Sequence, residues 1–197
     1  RELEGKNYDV ICTALVGGPN YVLINEVCKG IRKHSPKSKI VIGGALLTSE
    51  PVVMLESLGI EYGVLGEGEA TIIELLDCIR TGGDHKQVKG IVYRDENGKG
   101  QITEGRTAIE NIEVIPYPEM DGFEFNEYLD NIYCNQQFYN QSFNFPIPYP
   151  ILSSRSCPFH CTFCHHSIGY KYRERSIDHV IEEIKMLLTI FLLNFLI

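Results

Sequence analysis

The sequence predicts an α/β fold: a partial doubly wound parallel sheet carrying a β-hairpin, followed by the first strand–loop–helix unit of a second region. Three observations predict it. Three short apolar runs of strand length each lead through a glycine-bearing loop into a stretch of helical spacing. A later segment alternates on either side of Asn97-Gly98, a strong hairpin signal. Finally, a cysteine-rich loop lies between a short apolar strand and an amphipathic helix.

The first strand is expected over residues 8–15 (YDVICTAL), followed by Gly17-Gly18-Pro19-Asn20. Residues 21–33 then read as a helix, with Val22, Ile24, Val27, Cys28 and Ile31 recurring at about its period, and Ser35-Pro36 breaks it. Residues 39–42 (KIVI) form the second strand and end in Gly43-Gly44. Pro51 suits the first turn of a helix that runs to Leu58 and stops at Gly59. Residues 61–65 (EYGVL) are the third strand, leading into Gly66-Glu67-Gly68-Glu69. Residues 70–80 are a helix expected to turn Ile72, Ile73, Leu75, Leu76 and Ile79 inward, and Gly82-Gly83 ends it.

Strand–helix repeats of this length require a parallel sheet with crossover connections. The three glycine loops then gather beyond the carboxyl ends of the strands, where ligands of doubly wound sheets sit. Residues 89–103 supply the hairpin. Residues 113–150 carry five prolines and many aromatic residues; they are expected to form a connector that packs between two domains rather than a disordered tail. Residues 151–153 read as a strand. Residues 176–188 read as a helix with Ser176 as N-cap and Ile177, Val180, Ile181 and Ile184 on one face. Residues 186–197 (MLLTIFLLNFLI) are too short an apolar run for a bilayer span and read as a helix end passing into a buried strand. The domain boundaries expected are 1–112, 113–150 and 151–197.

Composition excludes several classes. A net charge of −8 with scattered Lys and Arg offers no basic stripe for nucleic acid or an anionic membrane. Seven cysteines are too few and too uneven for a secreted disulfide scaffold. Cys12, Cys28 and Cys78 lie in apolar segments and read as buried free thiols. Cys134 has no recognisable partner. The charged start, Arg1-Glu-Leu-Glu, is not a signal peptide, so a reducing, cytoplasmic setting is expected. A start at Arg1 and an apolar stop at Ile197 point to a fragment at both ends.

The chemistry concentrates in Ser154-Arg-Ser-Cys157-Pro-Phe-His-Cys161-Thr-Phe-Cys164-His-His166. Three thiolates spaced C-x3-C-x2-C can hold three irons of a cuboidal cluster and leave the fourth open for chemistry. Zinc is a rival, with His160, His165 or His166 as a fourth ligand, although zinc modules usually pair two separated ligand pairs. Cys161-Thr-Phe-Cys164-His165 also matches a c-type haem attachment pattern, which belongs to exported proteins. Pro158, His160 and Thr162 mark a loop rather than a core segment, against three cysteines buried by coincidence.

Together with Tyr172-Arg-Glu-Arg175-Ser176, that loop resembles the start of the core of radical S-adenosylmethionine enzymes. The resemblance implies the opening of a partial TIM-type barrel and a 4Fe–4S cluster held by Cys157, Cys161 and Cys164. The open iron would chelate S-adenosylmethionine, and one electron would cleave its carbon–sulfur bond to give a 5′-deoxyadenosyl radical. Phe163 falls at the aromatic position beside the adenine. Ser156 stands where related loops usually carry Gly. Val41-Ile-Gly-Gly44, Tyr62-Gly-Val-Leu-Gly-Glu-Gly-Glu69, Lys89-Gly-Ile-Val-Tyr-Arg94 and Ile115-Pro-Tyr-Pro118 resemble the cobalamin-binding domain that precedes this core in one subgroup. That domain implies a flavodoxin-like sheet, of which the strands here would be the contiguous last three. It also implies a cobalamin site made by Thr13, Gly43, Gly44, Gly66, Glu67 and Gly68. No Asp-x-His-x-x-Gly stretch supplies a lower cobalt ligand, and His34 and His85 read as solvated. The family further implies an unidentified small-molecule substrate and an electron donor such as flavodoxin or ferredoxin. Methyl transfer, rearrangement or cyclisation is the reaction class. The chain as it stands is expected to be inactive, because most of the barrel would lie beyond it. A first domain without cobalamin, or a zinc- or cluster-stabilised binding module, is the alternative.

Overall fold

The structure, a computed structural model, describes residues 7–120, Glu127 and 150–194. Most of the expected connector, Cys134 and the last three apolar residues lie outside the described residues. Among the described residues, those up to Glu110 together with Ser156–Lys171 form one compact unit; those from Asn111 to Arg155 and from Tyr172 onward form a second.

In the first unit, β1 (Val10–Ala14), α1 (Tyr21–His34), β2 (Lys39–Gly43), α2 (Ala45–Ser49), α3 (Pro51–Leu58), β3 (Tyr62–Val64), α4 (Glu69–Thr81), β4 (Ile91–Arg94) and β5 (Gly100–Ile102) follow in order. The sheet order is β1-β2-β3-β4-β5. The first three strands are parallel, as the crossover helices demand, and β3–β4 and β4–β5 are antiparallel. This is the mainly parallel α/β sheet that the sequence predicts. The hairpin is β4–β5, and it joins the same sheet beside β3.

The alternation of side chains along β2 assigns the two faces. Ile40 and Ile42 point into a core with Leu15, Ile24, Cys28, Ile31, Leu47, Leu55, Leu58 and Ile60, so α1, α2 and α3 cover that face. Val41 points the other way, into a second core with Val64, Leu75, Val88, Ile91 and Tyr93 beneath α4. Each fully buried aliphatic side chain contributes about 1.5–3 kcal/mol. One expected inward face needs correction: Ile73 of α4 lies two positions, about 200° around the helix, from buried Leu75 and is exposed, and Leu76 sits at the flank of the buried face. In α1 Val22 is exposed for the same reason, two positions from buried Ile24, and Val27 is at the flank. Cys28 is buried, and burial pushes its thiol pKa up, whereas Cys12 on the edge strand β1 is exposed rather than buried. His85 is partly rather than fully solvated: its ring meets Tyr62 and Tyr93 edge-on at 5.6 and 4.6 Å.

The amino ends of the strands are tied by Arg32 at the last turn of α1. Its guanidinium donates to both oxygens of Glu61 at 2.8 and 2.7 Å and to the carbonyls of Ser38 and Gly59. Glu61 also accepts from the Ile40 N–H at 2.8 Å, so one half-exposed ion pair joins α1 to the starts of β2 and β3.

The second unit contains β6 (Ser154–Arg155), β7 (Arg173–Glu174) and α5 (Ile177–Asn194). The strand expected at 151–153 lies at 154–155, where it finds an antiparallel partner in β7. The apolar stretch from Met186 to Asn194 continues α5 rather than forming a strand: Leu and Met outnumber β-branched residues there, and they favour helix. Ser176 accepts from the His179 N–H at 3.3 Å, the N-cap geometry expected of it. The helix buries Glu183 and Leu187, while Ile177 and Ile181 are exposed. No helix among the described residues is long and apolar enough to cross a membrane.

Two substitutions separate crowding from backbone strain. Gly44 and Gly59 both have positive φ, 108° and 65°. A Cβ on Gly44 would lie 2.5 Å from the Leu15 carbonyl oxygen, whereas one on Gly59 meets nothing within 4 Å. Gly59→Ala is expected to cost about 1 kcal/mol and Gly44→Ala about 3 kcal/mol or more, read from urea unfolding.

The hairpin turn predicts an acid sensitivity. The Asp95 carboxyl pKa is held low, first by the Lys99 N–H and then by the Asn97 N–H. Its stabilising effect is therefore fully present above the ordinary Asp value of about 4 and is lost as pH falls through the depressed folded value. Asp95→Asn is expected to flatten the acid limb of stability below about pH 4 in a urea-midpoint series.

Candidate functional site

Because β1, β2 and β3 are parallel and paired in register (Ala14 with Gly43, Ile42 with Gly63), their following loops lie at one edge. Thr13 is half-buried, on the sheet face that Ile11 and Leu15 share. Leu15 donates its N–H to the Gly43 carbonyl at 2.8 Å and accepts the Leu46 N–H at 3.2 Å. Gly44 is pressed against that carbonyl, so its missing side chain is a packing requirement first.

The third loop is fastened at both ends. The Gly66 N–H donates to Thr48 Oγ1 at 3.0 Å, and the same hydroxyl donates to the Gly44 carbonyl at 3.1 Å. Glu67 Oε2 accepts the Ile109 N–H at 2.7 Å, so that carboxylate is occupied by the chain itself. Gly68 is the N-cap residue of α4. A Cβ on Gly43 would approach only the Val64 carbonyl, at 3.9 Å, and one on Gly66 only Ser167 O, at 3.8 Å. Backbone is thus laid bare along this edge, a shape that suits a broad, flat cofactor approaching closely. The sequence contains no signal for Thr48; the local helix α2 that carries it is five residues long.

A cavity of about 1010 Å³ opens at the opposite edge, between the amino ends of β1 and β2 and the last turn of α4. His34, Lys37 and Lys39 line it. Ligands of doubly wound sheets sit beyond the carboxyl ends, so the glycine edge and not this cavity is the candidate cofactor site.

The cysteine loop belongs to the first unit. Cys157, Cys161 and Cys164 are all exposed free thiols, and a turn bond links the Cys164 N–H to the Cys161 carbonyl at 3.1 Å. Among the described residues no three His, Cys, Asp or Glu side chains gather closely enough to hold a metal ion. The donor set nevertheless fits an iron–sulfur cluster in kind: three accessible thiols on one loop. Two of the three neighbouring histidines pack on one ring, His160 stacking on Tyr170 at 5.0 Å and His166 lying 4.2 Å from it. Phe163 is 90 % exposed. Ser156 has φ 67°, the left-handed conformation glycine favours, and donates its hydroxyl to the Gly169 carbonyl at 2.5 Å. That bond is what a serine offers in place of glycine's freedom. Lys171 pairs with Glu110 at 2.5 Å within the same unit.

In the second unit Arg175 is the hub, a role the sequence does not announce. It pairs with Glu183 at 2.5 Å, donates to His179 Nδ1 at 2.8 Å and caps the Leu152 carbonyl at 3.0 Å. Tyr117 donates its hydroxyl to the His179 carbonyl at 3.1 Å, and Ser176 donates its N–H to Glu113 at 2.6 Å. These bonds surround a small cavity of about 150 Å³.

Residues 1–76 match the family model of the B12 binding domain. The chain is 34% identical over 152 residues to an uncharacterised methyltransferase of Pyrococcus horikoshii, covering 75% of this chain and 30% of that protein. It is 27% identical over 172 residues to cytidylyl-2-hydroxyethylphosphonate methyltransferase of Streptomyces wedmorensis, covering 76% and 32%. The chain therefore spans about a third of the length of these relatives. Among solved structures, the radical S-adenosylmethionine methyltransferase TsrM of Kitasatospora setae, with cobalamin and a [4Fe-4S] cluster bound, matches with a TM-score of 0.70 at 21% identity, over 94% of this chain and 36% of that one. The cobalamin-dependent S-adenosylmethionine radical enzyme OxsB, with aqua-cobalamin bound, matches at 0.69 and 22% identity, over 92% and 23%. At these identities the likeness to the two solved structures is one of fold.

The Ser156 geometry yields a direct test. Ser156→Gly relaxes the backbone but loses one hydrogen bond, so loop amide exchange is expected to stay within about twofold of wild type. Ser156→Ala keeps the strain and loses the bond. Its exchange across residues 157–169 is expected to rise about fivefold.

Proposed function

We propose that this chain is part of a radical S-adenosylmethionine protein with a cobalamin-binding domain, and that the whole protein is a cobalamin-dependent radical methyltransferase. The observation that carries the reading is the pairing of a B12 binding domain match with the C-x3-C-x2-C loop, whose three thiols are free and exposed. Methyl transfer is favoured over rearrangement or cyclisation because the two sequence relatives above are both named as methyltransferases.

In this reading Cys157, Cys161 and Cys164 bind the 4Fe–4S cluster, Phe163 lies beside the adenine of S-adenosylmethionine, and the backbone at Gly43, Gly44, Gly66 and Gly68 seats cobalamin. When bound, the cluster supplies the electron that cleaves S-adenosylmethionine, and the cobalamin supplies a cobalt centre for the methyl group. The chain's own share is positional. Ser156 shapes the turn into the cysteine loop, the Thr48 and Glu67 bonds fix the third glycine loop, and the His160–Tyr170–His166 stack stiffens the far side of the cysteine loop. The exposed thiols are accessible to iron and sulfide during assembly. A flavodoxin- or ferredoxin-type protein delivers the electron in the cytoplasm, and the substrate is a small molecule.

Anaerobic reconstitution of the full-length protein with iron and sulfide is expected to give a brown species with about four irons per chain, and Cys161→Ala is expected to lose at least half of that iron. Stoichiometric zinc with no iron uptake would contradict the cluster. Retention of added hydroxocobalamin through gel filtration tests the first unit independently; its absence would contradict the cobalamin assignment while leaving the cluster standing.

A further inference from the structure

One hydroxyl joins two of the loops at the glycine edge. Thr48 Oγ1 gives its proton to the Gly44 carbonyl at 3.1 Å and accepts the Gly66 N–H at 3.0 Å. Its own helix places it there: the Thr48 N–H bonds the same Gly44 carbonyl at 3.0 Å, and Leu47 beside it is fully buried. The Gly66 amide is therefore committed within the protein and is not a free donor for a ligand. Gly66, with φ 66°, has no side chain to anchor the start of the loop, so that position is set by its neighbours. Thr48 holds it at Gly66, and the Ile109 N–H holds it through Glu67.

We infer that Thr48 is a positioning residue for the cofactor edge, fixing the Gly66-Glu67-Gly68 loop against Gly43-Gly44 so that a broad planar cofactor meets both loops in register. The inference rests on the cobalamin reading of that edge. It assigns the preorganisation to a side chain that does not itself touch the cofactor. Binding to preordered loops avoids the cost of ordering them at the moment of association, so loosening the third loop weakens affinity without deleting any contact to the ligand. A valine at position 48 keeps the volume and removes both hydrogen bonds; a serine keeps both.

The test uses full-length protein, hydroxocobalamin titrated by absorbance, and amide exchange at Gly66 in the cobalamin-free form. Thr48→Val is expected to weaken cobalamin binding about tenfold and to speed Gly66 exchange about tenfold, while Thr48→Ser stays within about twofold on both. The rescue by serine is the readout that loss of packing alone would not produce. Should the valine variant fail to fold, Thr48→Ala carries the same expectation. Unchanged Gly66 exchange in Thr48→Val or Thr48→Ala would overturn the tether. Faster Gly66 exchange with wild-type cobalamin affinity would overturn the positioning role. Wild-type protein that takes up no cobalamin while Gly66 stays protected would overturn both the cofactor reading and the role built on it, leaving the tether as a purely structural bond.

Discussion

The contact between Gly44 and the Leu15 carbonyl fixes the edge on which the first unit's function depends. Parallel strands bring the ends of β1 and β2 together, but register alone does not decide how closely the following loops pack. Leu15 bonds Gly43 with its N–H and Leu46 with its carbonyl, and the chain turns past it with no room for a side chain at Gly44. From that crossing α2 begins, α2 places Thr48, and Thr48 reaches the loop after β3. A local steric requirement is thereby passed along three loops and becomes the shape of one surface.

Much of this fold was legible in the sequence, and the reasons are local. The parallel strands, α1, α3, α4 and the Asn97-Gly98 hairpin each carry a period or a turn residue within a few positions. Helix α2 was not legible, since five residues between Gly44 and Pro51 are too few to show a period. Ile73 is expected inward from its hydrophobicity, but residues two apart point to opposite sides of a helix, so it is exposed while Leu75 is buried. Likewise the apolar run after Met186 has no breaker, and helix propensity there prevails over the strand expected from its hydrophobicity.

The candidate site divides along the same line. Spacing alone singles out Cys157, Cys161 and Cys164, and their exposure leaves them available as ligands. The histidines looked like competitors in the sequence; ring stacking on Tyr170 gives His160 and His166 a different occupation. Ser156 breaks the expected glycine pattern yet keeps the glycine-like backbone, its hydroxyl bond offsetting part of the strain. Thr48, Arg175 and Glu183 had no signal, because each acts through a partner distant in sequence or across helical turns. Buried charge in particular cannot be read from one residue: Glu183 is tolerated inside only because Arg175 meets it.

The most direct measurement of the central claim compares the two edges of the sheet in one experiment. Hydrogen exchange of the full-length protein, with and without hydroxocobalamin, reports both. The account predicts new protection in peptides covering residues 43–48 and 65–68, with none at residues 34–39, where the larger cavity opens. Protection confined to residues 34–39, or absent from both edges, would contradict it.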